Sequence, residues 1–266
     1  MYAHSLLVYP ALPLTGTFTT AAGDGVLILN TNTTAGDLPS GKTWNFNVSS
    51  EQSGYVLPEL TMNNSILDIR ENTSLSGAVT LTGTGRILFH GSGKVLDCVT
   101  FPINCNNNQA IGAFDTDGKI QTQASTGALT GSILFGDKVV VEFNAAGAQE
   151  VPGGTYRGGI TASTSGTKTF TGTVIMAGTL TCASNVVIDA NTFPLTIDFG
   201  TLTIAGNGTF YTSNISNAPV PTSLDWSSLL EFEYRAGTTK MMAGTYSDLI
   251  LNGNGTRTTE GNINCD

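Results

Sequence analysis

The sequence predicts an all-β chain, and within that class a parallel β-solenoid with an internal repeat of about 89 residues. Three observations lead there. Apolar and polar residues alternate through most of the length, as in AVTLTGTGRILFHGSGKVLDC, TKTFTGTVIMAGTLTC and NVVIDANTFPLTIDFGTLTIAGNGTF. Alternation places successive side chains on opposite faces of a strand, one for a core and one for solvent. Only 12% of residues are charged while glycines number 32, so the Glu, Lys and Arg that coat surface helices are too sparse to cover many. Finally, GGTYRGGITASTSGTKTFTG from Gly153 is nearly said again as AGTYSDLILNGNGTRTTEG from Ala243.

In chain order, residues 1–138 form a β-rich N-terminal region. Its first segment, 1–20, is apolar and strand-prone but carries Pro10 and Pro13 and lacks a basic start. It makes a poor signal peptide and is expected to serve in assembly. Residues 139–266 form a strand-repeat region, with a first unit at 139–228 and an incomplete second at 229–266. Phe143 aligns with Phe232, and Gly166-Thr167-Lys168-Thr169 aligns with Gly255-Thr256-Arg257-Thr258, both at an offset of 89; Tyr156 aligns with Tyr246 at 90. The matched residues are turn formers, strand formers, one ring and one cation, as stacked strand repeats require. A shorter rhythm, GTLTC at Gly178 and GTLTI at Gly200, spaces two coils by 22 residues. The segment TSLDWSSLLEFEY from Thr222 allows a turn or two of helix before Leu229–Tyr234 reads as strand. Tandem antiparallel β-sandwiches fit the same local alternation.

The formal net charge is −9 and Lys and Arg nowhere cluster, so nucleic acid and anionic membrane surfaces are not expected partners. No apolar run is long enough for a spanning helix, and no membrane insertion is expected.

From Val139 onward, GAQEVPGGTYRGGITASTSGTKTFTGTVIMAGTLT and VVIDANTFPLTI resemble the Gly/Thr-rich β-strand repeats of large bacterial surface proteins. Those repeats are similar in style to filamentous-adhesin and autotransporter stalks. The resemblance implies an extracellular or cell-surface stalk or coat without enzymatic activity.

The chemistry-bearing residues are few. Asp115 and Asp117 in FDTDGK, with Asp97 one coil before, are the carboxylates a β-helix polysaccharide lyase or hydrolase would need on one face. Asp-x-Asp-Gly is also an ordinary Asx turn. As a calcium site Asp115 and Asp117 lack a third ligand and a later Glu. His90 has no partner evident nearby in sequence. Cys98 and Cys105 bracket VTFPIN, a loop that a disulfide could close; the other reading is two buried thiols. Thr179/Thr181 and Thr201/Thr203 could stack as hydroxyl rows resembling the ice-binding faces of some solenoid antifreeze proteins, or could be ordinary strand threonines.

The expected function is therefore a structural subunit of an extracellular filament or coat, with no cofactor. It would pair with copies of itself, head to tail, through strands at its ends. The alternatives are an adhesin fragment contacting surface glycans, a polysaccharide-active enzyme, and an ice-binding protein.

Overall fold

The computed structural model describes residues 4–8, 25–29, 38–106, 111–113, 117–216, 218–237 and 239–265. Among them there is no helix, and every strand pairing is parallel. The chain is a β-solenoid divided into two compact units, 1–139 and 140–266. Asp115 and most of the 1–20 segment lie outside the described residues.

The first unit begins with β1 (His4–Val8), β2 (Gly25–Leu29), β3 (Lys42–Trp44), β4 (Asn47–Ser50) and β5 (Tyr55–Leu57). It continues with β6 (Leu60–Asn63), β7 (Ile66–Ile69), β8 (Thr73–Leu75), β9 (Val79–Thr82), β10 (Arg86–Phe89) and β11 (Lys94–Asp97). Then follow β12 (Ile103–Cys105), β13 (Gly112–Ala113), β14 (Gly118–Thr122), β15 (Leu129–Gly131) and β16 (Leu134–Phe135).

From β3 onward the chain visits three sides in rotation. The first side stacks β3, β6, β9, β12 and β15; the second β4, β7, β10 and β13, after β1 and β2; the third β5, β8, β11 and β14. Each strand bonds in register with the strand one coil away, so ladder groups that would otherwise be buried and unpaired are satisfied. Inward residues stack as columns: Leu27, Val48, Leu67 and Ile87 on the second side, and Trp44, Met62, Leu81 and Cys105 on the first. All are 3% exposed or less. Burying each such side chain contributes about 1.5–3 kcal/mol, which is the driving force for stacking coil on coil.

The second unit opens at β17 (Val139–Phe143), then β18 (Gln149–Val151), β19 (Gly154–Tyr156), β20 (Gly159–Ala162), β21 (Gly166–Phe170) and β22 (Val174–Cys182). Next come β23 (Val186–Asp189), β24 (Leu195–Gly206), β25 (Thr209–Thr212), β26 (Leu224–Trp226) and β27 (Glu231–Tyr234). The last are β28 (Thr239–Met241), β29 (Gly244–Tyr246), β30 (Leu249–Leu251), β31 (Arg257–Thr259) and β32 (Ile263–Cys265). The TSLDWSSLLEFEY segment forms β26, a turn and β27, without helix.

Here two strands run straight through a corner. The first part of β22 pairs with β19 and its second part with β20. On its other edge β22 meets β24 with a register shift: Met176 stands opposite Ile197, but Gly178 stands opposite Leu202. Four residues, 198–201, thus face the single residue Ala177, and the excess is expelled as an exposed bulge. Gly178 sits at φ +70, and a Cβ there would lie 2.8 Å from the Gly158 carbonyl oxygen, so the corner requires glycine. The core of this unit is aromatic: Phe210 stacks on Phe232 at 5.2 Å between ring centres, and Trp226 lies edge-on to Phe232 at 4.7 Å.

Candidate functional site

The repeated phrase is assembled at the corners of the second unit. β19 and β29 are the same three residues, Gly-Thr-Tyr, and each ends on a tyrosine with no exposed surface. Tyr156 donates its hydroxyl proton to the Pro152 carbonyl at 2.8 Å, and Tyr246 donates to the Met242 carbonyl at 2.8 Å. Each ring fills the core while its polar tip closes the preceding corner. Burial pushes the Tyr246 hydroxyl pKa up, so it stays a donor.

The cation of the phrase does the same work one coil away. Lys168, fully buried on β21, donates through Nζ to the Ala145 carbonyl at 2.5 Å and the Gly147 carbonyl at 3.4 Å, both in the turn between β17 and β18. Burial lowers its pKa. Arg257 on β31 donates through Nη2 to the Ala236 carbonyl at 3.2 Å, in the turn between β27 and β28, and to the Asn252 and Gly253 carbonyls. Phe143 and Phe232, aligned in sequence, stand in different stacks: β17 pairs with β20, and β27 with β25 and β30. The repeat thus preserves corners rather than sides.

One polar cluster was not visible in the sequence. Asp68, on β7, accepts from Arg70 Nε at 2.8 Å through one oxygen and pairs with His90 Nδ1 through the other. Arg70 reaches Glu51 at 3.6 Å, and Ser49 Oγ donates to Glu51 at 3.2 Å. The hydrogen bond to Asp68, together with the nearby carboxylates, raises the Arg70 pKa. His90 therefore has a partner, one coil earlier. ILDIR and RILFH align at an offset of 20, and that alignment was the signal available. The carboxylate orients the imidazole, as in a general-base pair. The same carboxylate is also tied to a guanidinium, which makes the cluster a charge network along the outer face.

Other expectations are corrected. Asp97 and Asp117 do not converge: Asp97 stands opposite Gln121 at one end of β11, whereas the Asp117 carbonyl bonds Gly93 before the other end. Asp97 accepts from the Val99 N–H at 2.9 Å, closing an Asx turn. Asp117 is exposed, and among the described residues no group of three metal-ligating side chains occurs. Cys98 and Cys105 are both free and buried. They occupy different sides of the coil, Cys98 after β11 on the third and Cys105 in the Leu81 column of the first, and each fills core where a bridge would draw it aside. The threonine rows are also displaced. Thr179 stands beside Thr203, but Thr181 stands beside Ala205, and Thr201 falls in the bulge. The true spacing there is 24 residues, and the bulge removes the second row.

No family model matches the chain, nor does any curated protein or solved structure.

Proposed function

We propose that the chain is a non-enzymatic structural element of an extracellular filament or coat, extended by parallel strand pairing between successive coils. The observation that carries this reading is the use of the repeated residues. Tyr156, Tyr246, Lys168 and, through Nη2, Arg257 all donate to backbone carbonyls at coil corners. A repeat selected for such bonds is a stacking module. The free thiols of Cys98 and Cys105 remove disulfide support for the extracellular setting; the resemblance of the repeat to surface-protein stalks is what supports it.

β30 and β32 each have one described neighbour, β27 and β29. A further coil, from the same chain or from a second copy, would meet their other edges with the same ladder. Alternate residues of a parallel strand bond alternate neighbours. Asn252 N–H bonds back to Tyr234, so Leu251 N–H points to the outer edge. Electron microscopy and sedimentation of the full chain test the reading. Filaments that Leu251→Pro abolishes, with the circular dichroism spectrum retained, are expected. A wild-type monomer over the accessible concentration range would overturn self-assembly.

A further inference from the structure

The first side of the N-terminal unit carries a grid of uncharged polar side chains on its solvent face. One column runs Thr43, Thr61, Thr80, Asn104, Thr130, each opposite the next in strand register. Two residues further along the strands a second column runs Asn45, Asn63, Thr82. All eight are intermediate or exposed, with the inward residues Trp44, Met62, Leu81 and Cys105 buried between the columns.

Side-chain hydrogen bonds join six of the eight along the columns. Thr130 donates to Asn104 at 2.8 Å and Asn104 to Thr80 at 3.2 Å; Thr82 donates to Asn63 at 3.1 Å and Asn63 to Asn45 at 2.7 Å. Threonine is stiff at χ1 in addition. The outward polar groups of those six are therefore held in place, the χ1 stiffness of threonine limits Thr43 and Thr61, and little side-chain entropy remains to be lost on contact.

Strand stacking spaces the rungs at about 4.7–4.9 Å and alternate residues of one strand at about 6.6 Å. In a tetrahedral water network with an O···O distance of about 2.75 Å, second neighbours lie about 4.5 Å apart and the layer repeat is about 7.3 Å. The rung spacing differs by only a few tenths of an ångström, and the spacing along the strand by about a tenth of its value. The face also holds no ionisable side chain within its eight positions, although the chain carries a net charge of −9. Glu59, two residues before Thr61, is the first carboxylate met beside it. A neutral, rigid, two-dimensional array of oxygens has as its complement a neutral lattice of oxygens.

We propose that this face binds the surface of ice, with Thr61, Thr80 and Asn63 at its centre. The grid becomes part of the lattice: its hydroxyls and amides take water positions, and the threonine methyls fill the spaces between.

The full chain is tested by nanolitre osmometry for crystal shaping and thermal hysteresis. The variants are Thr61→Tyr/Thr80→Tyr, which places bulk on the grid, and Asn104→Asp, which adds charge with almost no change in volume. Gln121→Tyr, on the outward row of the third side, is the control. Circular dichroism checks that each variant folds. The expected result is faceted crystals and hysteresis for wild type and Gln121→Tyr, and rounded growth for both grid variants. Three results would each overturn the proposal: rounded crystals with wild type, grid variants that behave as wild type, or a chain that sediments with insoluble cellulose or chitin through the grid while leaving ice unshaped.

Discussion

Tyr156 and Tyr246 stand ninety residues apart and make the same bond: each hydroxyl donates to the carbonyl four residues before it, at 2.8 Å. Both rings are fully buried, so each corner carbonyl has this phenol as its donor in place of water. Tyr156→Phe and Tyr246→Phe should each lower stability by about 0.5–1.5 kcal/mol with the fold intact. Urea denaturation measures it, and an unchanged midpoint would show that the bond adds nothing net.

The two cations should differ in weight. Lys168 is fully buried and its nearer partner, the Ala145 carbonyl, belongs to a buried residue; Arg257 is only part-buried. Lys168→Met should therefore cost about 1–3 kcal/mol, the usual penalty for an orphaned buried partner, and Arg257→Met distinctly less. Thermal melts of the two variants side by side check the order.

Gly206 pairs with Cys182 at φ +95, and a Cβ there would lie 2.0 Å from the Cys182 carbonyl oxygen. Gly206→Ala meets both strain and a backbone clash. It should destabilise by more than about 1 kcal/mol. A neutral result by denaturant titration would mean that β24 can shift relative to β22.

Burial holds the Cys105 thiol up at about 11 and the Cys182 thiol up at about 12, against an ordinary 9.0. The folded state keeps these protons after the unfolded chain has released them. Their contribution is thus whole below about pH 9 and is lost as pH rises through about 11 and then about 12. Alkaline unfolding followed by circular dichroism should begin in that window, and Cys182→Ala should move its upper part. At pH 8 a thiol reagent should label Cys265, which is exposed, and reach the three buried cysteines only after denaturant is added.

Much of the architecture was legible in the sequence. Strict alternation with glycine at turns announced strands, and a phrase repeated with Tyr156/Tyr246 and Lys168/Arg257 in fixed places announced stacked coils. Alternation is enforced residue by residue, because each side chain must face core or solvent, and so it survives in any stretch long enough to read. The neighbour of each strand was not legible. Successive rungs of the Thr43–Thr130 column are separated by 18, 19, 24 and 26 residues, so no fixed period reveals it. For His90 and Asp68 the one local signal was the ILDIR/RILFH alignment at an offset of 20, a spacing that no neighbouring pair of rungs repeats.

What the sequence determined by itself was the all-β class, with a solenoid preferred over tandem sandwiches, and the identity of the repeated residues. What only the tertiary structure decided was register: that Thr179 meets Thr203 while Thr201 is expelled, that Cys98 and Cys105 take different sides of the core, and that a grid of polar side chains forms where none was expected. The physical reason is that a coil corner absorbs insertions at little cost, since loop entropy grows slowly with length. The strands on either side keep their pairing to the residue, and the number of residues between partners is left free.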